Sequence, residues 1–156
     1  MTDLRGFFIG SMINLESNMN LLIAFHFCGN NREKVYEFLT SIGYKEQFGL
    51  SFKTEVVSFI LKNHYPQILK SDSKLIDDVF NLIKLRNHFA HRHFSNHTTE
   101  GVSFMVIKTK RSKPIQDEQH ITEKELMEHS SRIEEIELKL KNIIDENYPR
   151  ENEAAT

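Results

Sequence analysis

Cysteine is nearly absent from this chain: Cys28 stands alone in 156 residues. It cannot close an intrachain disulfide, so packing and hydrogen bonding must hold the fold, as suits a reducing compartment. Proline (three) and glycine (six) are scarce and tryptophan is missing, so little interrupts regular structure and long helices are expected. No segment approaches the roughly eighteen consecutive apolar residues of a membrane-spanning helix. The first residues lack the basic region, apolar run and small-residue cleavage site of a secretory signal. The chain therefore reads as soluble and cytoplasmic. An excess of one charge is lacking too: 27% of residues are charged but the net charge is −2. No global field draws a polyanion, and any such site must be local. There is no glycine-rich phosphate loop, no Gly-x-Ser-x-Gly elbow, no His-Glu-x-x-His and no internal repeat.

What is present is helical periodicity. Leu4, Phe8, Met12, Leu15, Met19, Leu22, Ile23 and Phe27 recur at helical spacing until Gly29-Asn30-Asn31. Phe25, His26 and Phe27 predict an end buried nearly all round, and Glu16 and Asn20 share a face beside the stripe. A second helix is expected over 32–41, with Val35, Phe38 and Leu39 inward and Gly43 at its cap. A third is expected over 51–64, with Phe52, Val56, Val57, Phe59, Ile60 and Leu61 inward, before Tyr65-Pro66. Ser71-Asp72-Ser73 offers cap oxygens for a fourth helix. Residues 95–100 are polar and turn-rich; Val102, Phe104, Val106 and Ile107 then predict a strand, with a return strand near 115–120. Thr122 and Glu125 form a capping box for a last helix, with Leu126, Ile133, Ile136, Leu140, Ile143 and Ile144 on one face to about Asn147. The expectation is a mainly all-α bundle of four to five helices in one domain, 1–148, with a small inserted β-hairpin near 101–120. Residues 149–156 form a polar tail expected to be disordered.

Two clusters carry candidate chemistry. Lys108, Lys110, Arg111 and Lys113 are the dense basic cluster, either an RNA-contacting arm or a solvated hairpin tip whose charges prevent edge pairing. The other is Leu85-Arg86-Asn87-His88-Phe89-Ala90-His91-Arg92-His93-Phe94. On a helical wheel with Leu75 at zero, Val79, Leu82, Ile83, Phe89 and Ala90 span an apolar arc, and Arg86 falls near its middle at about 20°. A buried guanidinium needs a partner or an interface, and Glu16 is the best acidic candidate from a facing helix. Four histidines (His88, His91, His93 and His97) crowd the same region, but no third ligand stands at a recognisable spacing, so no metal is assigned.

Arg86, Asn87 and His91, in the form Arg-Asn-x-x-Ala-His, resemble the motif of the HEPN superfamily, in which Arg and a polar residue precede His by a short spacer. The resemblance covers the motif and the helical scaffold, residues 4–94 and the last helix. It implies a dimeric helical bundle in which the motifs of two chains face one cleft. It also implies a metal-independent and cofactor-independent endoribonuclease, of the kind found in toxin–antitoxin and phage-defence systems. The implied partners are an RNA substrate, a second copy of the chain and a protein antitoxin. The 2′-hydroxyl would attack the adjacent phosphate, with His91 moving protons and Arg86 meeting the developing charge. Asn87 would support them and Glu16 would orient the Arg. His93, near 0° on the wheel, is the rival base. Some members of the family are non-catalytic dimerisation or RNA- or protein-binding modules, which is the alternative reading. The inserted hairpin departs from a minimal member.

Overall fold

Elements are described for residues 2–91, 94–98, 101–110 and 113–148 of a computed structural model. The first apolar stripe forms one helix, α1 (Thr2–Cys28), about 40 Å long. It stops at Gly29, whose φ of 61° is left-handed and whose N–H reaches the Phe25 carbonyl at 2.8 Å. Asn31 then caps α2 (Arg32–Phe38), accepting from the Lys34 N–H at 3.0 Å. The chain runs on as one π-helical turn, Leu39–Gly43. After the 44–49 connection come α3 (Leu50–His64), the short α4 (Pro66–Ser71) and α5 (Leu75–His91). Pro66 opens α4, where its missing N–H costs nothing.

Helix α1 is the hub and packs on α2, α3 and α5 and on the last helix, α6 (Glu123–Asn147). Phe8, Met12, Leu15, Met19, Leu22 and Ile23 meet Val57, Ile60 and Leu61 of α3, Leu75, Val79, Leu82 and Phe89 of α5, and the α6 face. All six apolar residues expected inward on α6 are buried, and the Thr122–Glu125 capping box is formed in both directions. Among the described residues, no helix is long and apolar enough to cross a membrane.

Between α5 and α6 lies a three-stranded antiparallel sheet in the order β1 (Phe94–Thr98), β2 (Gly101–Lys110), β3 (Lys113–Thr122). The expected hairpin is there with longer arms, in register from Gly101 opposite Thr122 to Lys110 opposite Lys113. Residues 95–98, expected as turn, form an edge strand with a bulge between Phe94 and Asn96. Pairing with β2 outweighs their weak strand propensity, and a short polar strand is a safe edge. Ser103 Oγ and His120 Nδ1 meet across the β2–β3 ladder at 3.0 Å. Because Thr122 both ends β3 and caps α6, the sheet is fastened to the bundle at that junction.

Several inward assignments need correcting. Phe52 and Phe59 are 52% and 56% exposed, while Lys53 from the same helix is buried. Phe27 is exposed and Phe25 and His26 are half-buried, so the end of α1 is covered on one side. Ala90 is exposed. Ser71 and Asp72 take partners elsewhere: Ser71 Oγ donates to the Ile68 carbonyl at 2.9 Å. Both Asp72 oxygens accept from Arg132 Nη2 at 2.8 Å, and Lys139 Nζ donates to Oδ2 at 2.5 Å. Arg132 also donates through Nε to Asp78 at 2.9 Å, so α6 is clamped to the start of α5. His93, Thr99, Glu100, Arg111 and the tail 149–156 lie outside the described residues.

That clamp makes stability pH-dependent. The hydrogen bonds from Arg132 first, and then from Lys139, hold the Asp72 carboxyl down from 3.8 to about 2. A depressed carboxylate contributes stability that is full above its unfolded pKa and is lost as pH falls through the folded one. The window here is pH 4 down to 2. With Asp72 nearly buried, the contribution is on the order of 2 kcal/mol. In urea unfolding between pH 5 and 2, Asp72→Asn should start less stable and lose less than wild type by about that amount. Parallel curves would show that the clamp contributes nothing.

Candidate functional site

The sequence placed a guanidinium in the apolar arc of α5; the fold puts it at the rim of a cleft. Arg86 is half-buried and lines an open cavity of about 480 Å³ with Ile13, Glu16, Ser17 and Asn20 of α1, Leu50 and Lys53 of α3, and the 44–49 connection. The arc closes on the core through Leu82, Leu85 and Phe89, while Arg86 reaches the cavity it shares with the 44–49 connection. Arg86 is therefore not a core residue. Its hydrogen bond among the described residues runs from Nη1 to Asn87 Oδ1 at 3.3 Å, and Asn87 itself is exposed.

Glu16, expected to pair with Arg86, lines the same cleft but does not pair with it. Its Oε1 accepts from Lys53 Nζ. Lys53 is 2% exposed, and its ammonium also lies 5.6 Å from the centroid of the Phe48 ring. A buried ammonium is tolerable only with a counter-charge in reach, and the Glu16 carboxylate supplies it. The two charges cancel, which leaves Arg86 facing the cleft with no carboxylate partner among the described residues. Glu16 and Asn20 share a face, as their spacing predicted, and both line the cavity. Asn20 is 2% exposed and its Oδ1 has no hydrogen-bond partner among the described residues. An unsatisfied buried oxygen costs about 1–3 kcal/mol, so this position lowers stability beside the cleft. Lys45 and Glu46 add one charge of each sign, giving three cations against two carboxylates around the cleft.

His91 is the last residue of α5. The helix is regular from Arg86 to His91, so their α-carbons stand about 140° apart around the axis and about 7.5 Å apart along it. Near that end the Arg5 guanidinium of α1 donates to the Phe89 carbonyl in the last turn of α5. A second cation thus sits near the motif, a contact that the spacing of Arg5 alone did not reveal. Lys108 and Lys110 fall at the far end of β2 and Lys113 at the start of β3, so these three backbone positions share the hairpin tip. Lys53 is the residue the sequence reading missed. Its spacing to Val57, Ile60 and Leu61 is that of an inward helical position, and that was the available signal. Comparison with known proteins finds no matching family model, and no curated protein or solved structure matches the chain significantly.

Proposed function

We propose that this chain is a HEPN-like, metal-independent endoribonuclease working as a homodimer in the cytoplasm, in a toxin–antitoxin or phage-defence setting where a protein antitoxin would restrain it. The observation that carries the reading is Arg86 on the rim of an open cleft. Among the described residues it has no carboxylate partner, and it stands within the Arg-Asn-x-x-Ala-His stretch that ends α5. In the reaction the 2′-oxygen bonds to the adjacent phosphorus as its proton passes to the His91 imidazole. The P–O5′ bond breaks and the 5′-oxygen takes a proton from water, leaving a 2′,3′-cyclic phosphate and a 5′-hydroxyl, and His91 then returns its proton to solvent. Arg86 meets the charge on the non-bridging oxygens, and Asn87, already hydrogen-bonded to Arg86, holds the guanidinium in place. Lys108, Lys110, Arg111 and Lys113 would reach the phosphates that run away from the cleft.

The test is incubation of purified protein, freed of any bound inhibitor, with single-stranded RNA and chelator, followed by end-group mapping. Cyclic phosphate and 5′-hydroxyl ends are expected, with DNA left intact for want of the 2′-hydroxyl. Exchanging the four basic hairpin residues for Gln should weaken RNA binding and flatten its salt dependence. The roughly 140° between Arg86 and His91 favours one second reading, a non-catalytic RNA- or protein-binding module. RNA left intact by the wild type would select it.

A further inference from the structure

We propose that the aromatic stripe leading from the Arg86 cleft along the outer face of α3 is a track on which single-stranded RNA stacks its bases. The inference rests on the reading of the chain as an RNA-acting protein and names the surface that holds the substrate. Phe52, Val56 and Phe59 recur at helical spacing, so they share one face of α3, opposite the core face of Val57, Ile60 and Leu61. Phe52 and Phe59 stand about 10 Å apart along the axis, with the half-buried Val56 between them. The stripe joins the cleft directly: the Phe52 ring lies 5.4 Å from that of Phe48, which lines the cavity with Tyr44 and Arg86. Tyr44, Phe52 and Phe59 are each more than half exposed. Apolar residues exposed singly need no explanation, but aromatic rings in series beside a cleft mark an interaction surface.

The placement of charge decides the occupant. Arg86 and Lys45 stand at the cleft end, and Lys62 and His64 lie in the last turn of α3 at the other. Lys62 is three residues from Phe59 and so beside it on the helix surface. A strand that alternates flat bases with phosphates matches this order, with phosphate on Arg86, bases on Tyr44, Phe52 and Phe59, and phosphate again on Lys62. Lys53 adds nothing to it, being neutralised by Glu16. Glu46 at the cleft and Glu55 on α3 offset most of the remaining positive charge. The track is therefore nearly neutral, and its grip comes from stacking more than from counterion release. A duplex keeps its bases paired and cannot use the rings, whereas any unpaired base offers a π-face.

The experiment compares a short single-stranded 2′-O-methyl RNA, which the proposed reaction cannot cut, with an abasic sugar–phosphate strand of the same length and charge. Fluorescence anisotropy on the whole chain should show about tenfold or more tighter binding of the base-bearing strand. Added salt should weaken both and leave their ratio unchanged. Phe52→Ala and Phe59→Ala should each lower affinity for the base-bearing strand by about fivefold or more and leave the abasic strand as it was. Equal binding of the two strands by the wild type, or binding of neither at high micromolar concentration, would overturn the track. So would a base preference that salt abolishes, or one that survives the double Phe52→Ala, Phe59→Ala variant. Loss of the dimer in that double variant on sedimentation would also overturn it, and would make the stripe a contact between protein chains. The wild-type comparison stands even where a variant fails to fold. RNA cleavage without base preference removes the track and leaves the nuclease; base preference without cleavage removes the nuclease and keeps the track.

Discussion

Glu16→Ala should be the more damaging half of the buried pair, lowering stability by about 2–3 kcal/mol, while Lys53→Met should cost under about 1 kcal/mol. The asymmetry follows from where the charges sit. Removing the carboxylate leaves an ammonium 2% exposed with no counter-charge, and neither water nor the Phe48 ring replaces it. Removing the ammonium leaves a carboxylate whose side chain is 31% exposed and can be hydrated from the cleft, while methionine fills the lysine's volume among Val57, Ile60 and their neighbours. That partial exposure of Glu16 is also why the loss lies below the 3–5 kcal/mol of a fully buried pair. For a chain of this size the first variant should melt roughly 5–10 °C below wild type. The double variant should recover most of the loss, because nothing charged is then left buried. A Glu16→Ala protein within 1 °C of wild type would mean that the pair behaves as a surface contact.

How far the fold could be read in advance depends on whether each element's environment is one-sided. Helix α6 was legible in its apolar face, capping box and end near Asn147, which are all local features, while the clamp of its Arg132 and Lys139 on Asp72 and Asp78 was not. Helix α1 was legible in extent but not in burial, because it is apolar around much of its circumference while its neighbours cover only part of it. Phe7, Ile13 and Phe27 stay exposed there. On α3 the aromatic residues drew the inward assignment and the lysine was passed over. Hydropathy by residue type fails where a charge has its partner on another helix. The π-helical turn at Leu39–Gly43 and the edge strand at Phe94–Thr98 have no local signature, since packing against α1 and pairing with β2 decide them. The candidate site divides in the same way. Arg86 was visible as an anomaly inside an apolar arc, and Glu16 and Asn20 as a polar pair on one face. The 44–49 connection that makes their neighbourhood a cleft became visible only in three dimensions.

The largest functional effect expected is at the motif itself: Arg86→Ala and His91→Ala should each lower RNA cleavage by on the order of a hundredfold or more. Arg86→Lys should rescue only partly, since it keeps the charge but loses the planar fork that grips two phosphate oxygens. Helical content should not change in the Arg86 variants, because Arg86 is half-buried and its hydrogen bond is to the adjacent Asn87. His93→Ala should cost far less, and chelators should cost nothing. Because α5 is regular from Arg86 to His91, with about 140° between them, the proposed cleavage site needs the Arg of one chain and the His of another. That requirement has its own signature. In a symmetric dimer, mixing the inactive Arg86→Ala and His91→Ala proteins restores one complete site in each mixed dimer, so activity should return to about a quarter of wild type after subunit exchange. A pair acting within one chain would give the same restoration in no dimer, because every motif in the mixture carries a defect. Two inactive proteins that stay inactive when mixed and exchanged, or a His93→Ala protein that is itself the dead variant, would overturn this assignment of the pair.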